Sequence, residues 1–179
     1  MQRTPPAPRH LMPRSHPAPA AVPPVPNRLL AAALLAAASL VPPAAGAAEP
    51  LVRFEGGIGV QPLSAAGPNV VHGVSPGGQP WVIERLSADV ATDARITVDG
   101  RGLLLAGGNN IGTAGGQSVR ARLICAGVPH DSELVPLDAR GDFRIQGFLN
   151  PFPPSPCNSA VLLVVSGAGR WFAAGIPKP

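Results

Sequence analysis

Ser118–Cys125 reads SVRARLIC, and its alternation decides the fold class. Val119, Ala121, Leu123 and Cys125 share one face, opposite Ser118, Arg120, Arg122 and Ile124. Successive side chains of a strand point to opposite faces, so the segment reads as a strand with one buried and one wetted side. Cys125 closes the apolar row and therefore points into the core at the end of its strand.

The same period of two recurs on both sides of this segment. Trp81–Thr92 is the longest stretch, with Leu86, Ala88 and Val90 on one face. Arg95–Asp99 follows a turn at Asp93-Ala94 with Ile96 and Val98 inward, so the two segments form a hairpin. Gly100 and Gly102 place a bend before a buried strand at Leu103–Ala106. Further strands are expected at Asn69–Val74, Ser132–Leu137, Asp142–Leu149 (Phe143 and Ile145 on one face), Ala160–Ser166 and Arg170–Gly175. Val52–Phe54 and Gly59–Pro62 read as short edge segments. No window supports a long amphipathic helix.

Two loops stand between these strands. Gly107–Gly116 (GGNNIGTAGG) is glycine-rich, with Asn109 or Asn110 expected in a left-handed turn. Asn150–Ser159 holds Pro151, Pro153, Pro154, Pro156 and Cys157. Seven or eight short strands with turns at this spacing predict an all-β, antiparallel Greek-key β-sandwich of immunoglobulin-like architecture, with a small β-barrel as the alternative.

The first 48 residues are of another kind. They contain Arg3, Arg9, Arg14 and Arg28 and no acid, whereas all ten acids, both cysteines and every aromatic residue come later. Leu29–Val41 (LLAAALLAAASLV) is a run without charge, preceded by Arg28 and followed by Pro42-Pro43 and small residues. It is too short for a bilayer-spanning helix and fits the apolar region of a secretory signal, with cleavage after Ala47 or Ala48. The preceding stretch is long and Pro-rich and is not expected to fold; Met12 is an alternative start. Residues 1–48 are therefore read as signal peptide and 49–179 as one secreted domain, periplasmic or extracellular, with no transmembrane segment in the mature form.

The whole chain carries a formal net charge of +4, but four of its 14 basic residues precede position 49, which leaves ten against ten acids in the secreted part. A neutral domain lacks the surplus of Lys and Arg that phosphate backbones require, so nucleic acid is excluded as an expected partner. Two cysteines in an oxidising compartment predict one disulfide, Cys125 to Cys157.

Motifs with chemical potential are weak. Gly73-Val74-Ser75-Pro76-Gly77 matches G-x-S-x-G, but the hydrolase elbow needs a helix after the serine, and Pro76, Gly77, Gly78 and Pro80 prevent one. Gly107–Thr113 has phosphate-loop glycine spacing without the lysine or the helix. His72, read as a strand residue, and His130, read as a loop residue, fall short of a zinc ligand set once the thiols are oxidised. No catalytic residue, metal or cofactor is therefore expected. Trp81 and Trp171, as stacking platforms, and Asn109 and Asn110, in the glycine loop, remain the possible ligand contacts, although buried anchors explain the tryptophans as well.

Four phrases carry a resemblance: Pro80-Trp81-Val82-Ile83, Gly102–Gly108 (GLLLAGG), Ile111-Gly112-Thr113 and Trp171–Pro177 (WFAAGIP). Through them the stretch from Ser75 to Pro177 resembles a family of small exported bacterial proteins with no assigned function. The resemblance implies export and a single domain, and supplies no catalytic residue. The functional expectation is a non-enzymatic binding or cell-envelope-associated module with an extracellular or envelope partner. The alternatives are a small secreted hydrolase, or a protease inhibitor presenting the Pro-rich loop 151–156.

Overall fold

The computed structural model describes residues 48–63 and 69–179. The signal segment Leu29–Val41 and Ala47 lie outside the described residues. Within them the chain forms strands and no helix: β1 (Pro50–Gly59), β2 (Trp81–Val82), β3 (Arg85–Ala91), β4 (Arg95–Arg101), β5 (Leu104–Leu105), β6 (Ser118–Cys125), β7 (Val128–Asp131), β8 (Val135–Pro136), β9 (Phe143–Phe148), β10 (Val161–Ser166) and β11 (Trp171–Pro177). No helix among these residues is long and apolar enough to cross a membrane.

The main sheet runs β7-β6-β10-β11-β1-β3-β4-β9, with β8 paired to β6, and every pairing in it is antiparallel. β2 and β5 form a second, two-stranded sheet. The main sheet curls into a half-barrel. Its ends meet where Asp131, the last residue of β7, and Asn150, just beyond β9, exchange two backbone hydrogen bonds of 2.9 Å. β10 then returns to lie beside β6, a Greek-key crossing. The all-β antiparallel class expected from the alternation is the one observed, as one curled sheet with a small second sheet.

The apolar rows read from the sequence line the inside of the curl. Leu86, Ala88 and Val90 of β3, Ile96 and Val98 of β4, Val119, Ala121 and Leu123 of β6, and Phe143 and Ile145 of β9 are all buried. Burying each large aliphatic side chain stabilises the fold by roughly 1.5–3 kcal/mol before conformational entropy is charged. β10 is apolar on both faces. Leu162 and Val164 point inward, while Leu163 and Val165 lie in register with Arg122 and Arg120 and are also fully buried. Ile124, expected on the wetted side of β6, is buried in this outer row, next to Val161 and Pro129.

Cys125 and Cys157 are joined by a disulfide, with Cα atoms 4.9 Å apart and a sequence separation of 32. The bond sits at the end of β6. There Asn158 also accepts a hydrogen bond from the Ala126 amide at 2.7 Å, so the Pro-rich loop is stitched to the sheet.

Several expected boundaries differ. Val52–Phe54, read as an edge piece, lies inside β1, which is central between β11 and β3; of Gly59–Pro62 only Gly59 belongs to a strand, the end of β1. Its glycines are close-approach positions rather than breaks: a Cβ on Gly59 would collide with the Trp81 carbonyl, and Gly56 has φ +90° at a bulge. Asn69–Val74 is not a strand. Val71 and Val74 exchange backbone hydrogen bonds around a tight turn in which His72 and Gly73 have positive φ. Trp81–Thr92 breaks after Val82, because β2 leaves the main sheet to pair with β5. β7 contains Pro129 and was not expected. It is tolerated there because β7 ends the strand path, where a missing N–H costs least. Of Ser132–Leu137 only Val135–Pro136 pairs. In the glycine-rich loop, positive φ falls on Gly108, Gly112, Gly115 and Gly116, not on Asn109 or Asn110.

Candidate functional site

The segment after the Val71–Val74 turn runs alongside the start of β11. The Trp171 amide donates to the Ser75 carbonyl at 3.0 Å, and the Gly77 amide donates to the Trp171 carbonyl at 2.9 Å. The chain then crosses to β2, where the Trp81 amide donates to the Val60 carbonyl and the Ala106 amide donates to the Pro80 carbonyl. This path lays Gly77 over the rings of Trp81 and Phe172. The two rings stack with centroids 4.1 Å apart at 15°.

The opposite wall is the glycine-rich loop, held rigid by its own backbone. The Leu105 amide donates to Thr113, the Gly112 amide donates to Leu105, and the Thr113 hydroxyl donates to the Asn110 carbonyl at 2.8 Å. Between loop and stack lies an open pocket of about 340 Å³, with Gln79, Asn110, Gln117 and Arg170 at its rim. This volume is at the small end of small-molecule sites, which span about 300–1,000 Å³.

Two donors in this pocket have no partner among the described residues. Trp171 donates its indole N–H to the Asn69 carbonyl at 3.0 Å; the indole N–H of Trp81 has no acceptor among the described residues and reaches solvent at the edge of an otherwise buried ring. It lies 3.3 Å from where a Cβ on Gly77 would sit, so the missing side chain leaves it uncovered. Arg170 forms no ion pair, whereas eight other cations do. No acidic side chain lines this pocket.

A neighbouring depression along Ser75–Gly78 shares Arg170 with this pocket, whereas two others hold ion pairs. One contains Arg53 and Asp89, which pair at 2.9 Å, together with Arg95 and the half-buried Ala48. A second contains Arg101, Arg140 and Asp142, with the Arg101–Asp142 pair at 3.2 Å. Asp138 stands next to this network. Hydrogen bonds from the Asp142 amide and, less strongly, the Arg140 amide hold its carboxyl below the usual range. On the outer face of β6, Arg122 makes two hydrogen bonds to Asp131, of 2.7 and 2.6 Å, which raise the guanidinium pKa further. Arg120 reaches the same carboxylate at 3.7 Å. The two arginines thus converge on one acid and are not a free basic patch.

The residues singled out in the sequence fall as follows. Trp81 and Asn110 line the pocket; Asn109 is exposed on the loop beside it; Trp171 is buried on the far side of the Gly77 segment, with its N–H committed. Trp81 and Trp171 are both buried, so neither presents a ring face to solvent. Ser75 is half-buried, and no hydrogen bond joins its hydroxyl to a histidine or acid among the described residues. His72 is exposed in its turn, not in a strand. His130 is on β7, not in a loop; it is 3% exposed and donates from Nδ1 to the Pro151 carbonyl at 2.7 Å. The two histidines belong to separate elements, and the thiols are consumed by the disulfide.

Arg170, Gln79, Gln117 and Phe172 were not singled out in the sequence. Gly77-Gly78 was the only local sign, and a glycine pair between prolines reads first as a turn. Comparisons with protein-family models, curated proteins and solved structures give no match.

Proposed function

We propose that this chain is an exported, non-enzymatic binding module whose site is the pocket between Trp81 and the glycine-rich loop. The observation that carries the reading is the Trp81 indole N–H, which opens into the pocket beside Gly77 and has no acceptor among the described residues. A ligand oxygen at that point would add a hydrogen bond with a net value of about 0.5–1.5 kcal/mol. A rigid loop and a stacked aromatic floor keep the site formed without ligand, which favours binding.

Export is supported by three features. The disulfide fits an oxidising compartment. Glu49 is hydrogen-bonded to Thr92 and Pro50 begins β1, so cleavage after Ala47 or Ala48 would leave every described strand intact. The resemblance noted above carries the same implication. The partner is then a small molecule or envelope component met outside the cytoplasm, not a nucleic acid. The non-catalytic reading rests on the Ser75 hydroxyl making no hydrogen bond to a histidine or acid among the described residues, with His130 held on a separate strand.

The test is a screen of small polar molecules followed through the two indole N–H signals of ¹⁵N-labelled protein. Binding in the pocket shifts the Trp81 signal and leaves the Trp171 signal, fixed on Asn69, in place. A broad screen that never moves the Trp81 signal refutes the site. Intact mass of the protein from fractionated cells, with alkylation before and after reduction, tests export and signal removal.

A second reading has one observation in its favour. Phe152 is 64% exposed on the Pro-rich loop, which Cys157 and the His130–Pro151 contact anchor on either side. A pinned loop with a protruding aromatic is the form of a protease inhibitor. Loss of inhibition of an aromatic-selective extracellular protease on Phe152→Ala would establish it, and absence of any inhibition by the intact protein would end it.

A further inference from the structure

We infer that the Trp81 pocket recognises an acidic sugar, a hexuronate unit held edge-on with its carboxylate on Arg170 and a ring or hydroxyl oxygen on the Trp81 indole N–H. The inference rests on the binding reading above and names the ligand class for the same site.

Four features select this chemistry. First, Arg170 brings a planar fork of donors that matches a carboxylate, and it has no protein counter-ion among the described residues. Second, no acid lines the pocket, so nothing there repels an anion. Third, Gln79, Asn110 and Gln117 each end in a primary amide, which offers both a donor and an acceptor. Hydroxyl groups also donate and accept, so three amides around one cavity suit a polyhydroxy compound better than a plain fatty or aromatic acid. Fourth, the Trp81 N–H is a donor at the floor with no protein acceptor among the described residues, and it suits a ligand oxygen.

The same geometry excludes the usual way an aromatic holds a sugar. The faces of Trp81 and Phe172 are spent on each other, and the two residues are 4% and 5% exposed. A sugar therefore cannot lie flat on either ring. Only the nitrogen edge of the indole is offered, through the gap left by the absent side chain of Gly77. A Cβ there would stand 3.0–3.1 Å from the Phe172 ring and 3.3 Å from the Trp81 nitrogen, closing the gap.

The experiment titrates the mature protein calorimetrically with glucuronate and galacturonate disaccharides, with the neutral disaccharides of the same linkage, and with acetate. The indole signals are followed in parallel. The expected result is that at least one acidic disaccharide binds and shifts the Trp81 signal, while its neutral counterpart and acetate bind at least tenfold more weakly. Arg170→Gln, at an exposed position, should keep the melting temperature and lose at least tenfold for the acidic sugar. Gly77→Ala should lose binding of the same ligand, with an unchanged Trp171 signal reporting an intact fold. Equal binding of neutral sugars or of acetate overturns the inference, as does full affinity in Arg170→Gln. If no uronate binds, the inference fails; a different compound that moves the Trp81 signal would then leave the binding module standing without it.

Discussion

The ring of Phe143 on β9 occupies the space that a side chain on Gly100 of β4 would fill, and the two residues are direct cross-strand partners. Gly100 is thus the smallest member of an inward row whose other members are Ile96 and Val98, and Phe143 is the largest of its own. Small faces large, as close packing requires.

Gly100→Ala should therefore destabilise the domain by about 2–3 kcal/mol through overpacking, although alanine has the better strand propensity. Urea unfolding measures it. Combining Gly100→Ala with Phe143→Leu should recover part of the loss, giving a coupling energy of about 1 kcal/mol in the double-mutant cycle. Additive losses would show that the ring is not the obstacle.

Closing a loop of 32 residues, the Cys125–Cys157 bond should contribute about 3–4 kcal/mol by restricting the unfolded chain. Replacing both cysteines with alanine, or unfolding in reductant, should lower the urea midpoint by the corresponding amount. An unchanged midpoint would mean that the loop-closure gain is offset elsewhere and would overturn the expectation.

Asp131→Ala should cost about 2–3 kcal/mol. It removes a two-pronged partner from Arg122, a group only about one-fifth exposed, and leaves Arg120 without its nearest acid. Changing both Asp131 to Ala and Arg122 to Met should cost less than Asp131→Ala alone, because no stranded charge remains. Thermal unfolding of the single and double variants decides this.

The Asp138 carboxyl is held below its ordinary value by the Asp142 amide, with the Arg140 amide and the charges of Arg140 and Arg101 adding to the effect. Its folded-state pKa is lower than its unfolded one, so its stabilising contribution is present above the usual carboxylate range of about 4 and is lost as pH falls through the depressed value. NMR titration of the side chain should find its midpoint below that of a free aspartate. Asp138→Asn should flatten the stability profile in that acid window and lower stability near pH 7, where the carboxylate's contribution is fully present. A midpoint at or above the free value would contradict the hydrogen-bond pattern.

The inward rows of β3, β4, β6, β9 and β10 were legible because each alternates or runs apolar between clear turn residues. The elements that escaped are those where backbone, not side chain, makes the contact. β1 passes against the backbone of β2 at Gly59, and glycine has no periodicity to read. β7 was hidden by Pro129, whose penalty depends on whether the strand lies at an end of the sheet. Half of the pocket was visible, in Trp81 and Asn110. Arg170 was not, because what distinguishes it is the absence of an ion pair across space, and a one-dimensional sequence does not carry that. Trp171 was grouped with Trp81 for its type alone, and the Asn69 carbonyl separates them.

The two ends of the sheet meet at a single bridge, Asp131 to Asn150, and the same corner holds the disulfide and the His130–Pro151 contact. That seam is the least hydrogen-bonded line around the curl, and the covalent bond clasps it from one side. Opened, it would expose two strand edges able to pair with other copies of the chain. Chain kept under reducing conditions therefore has every reason to self-associate, and the clasp ties solubility to the oxidation of these two cysteines.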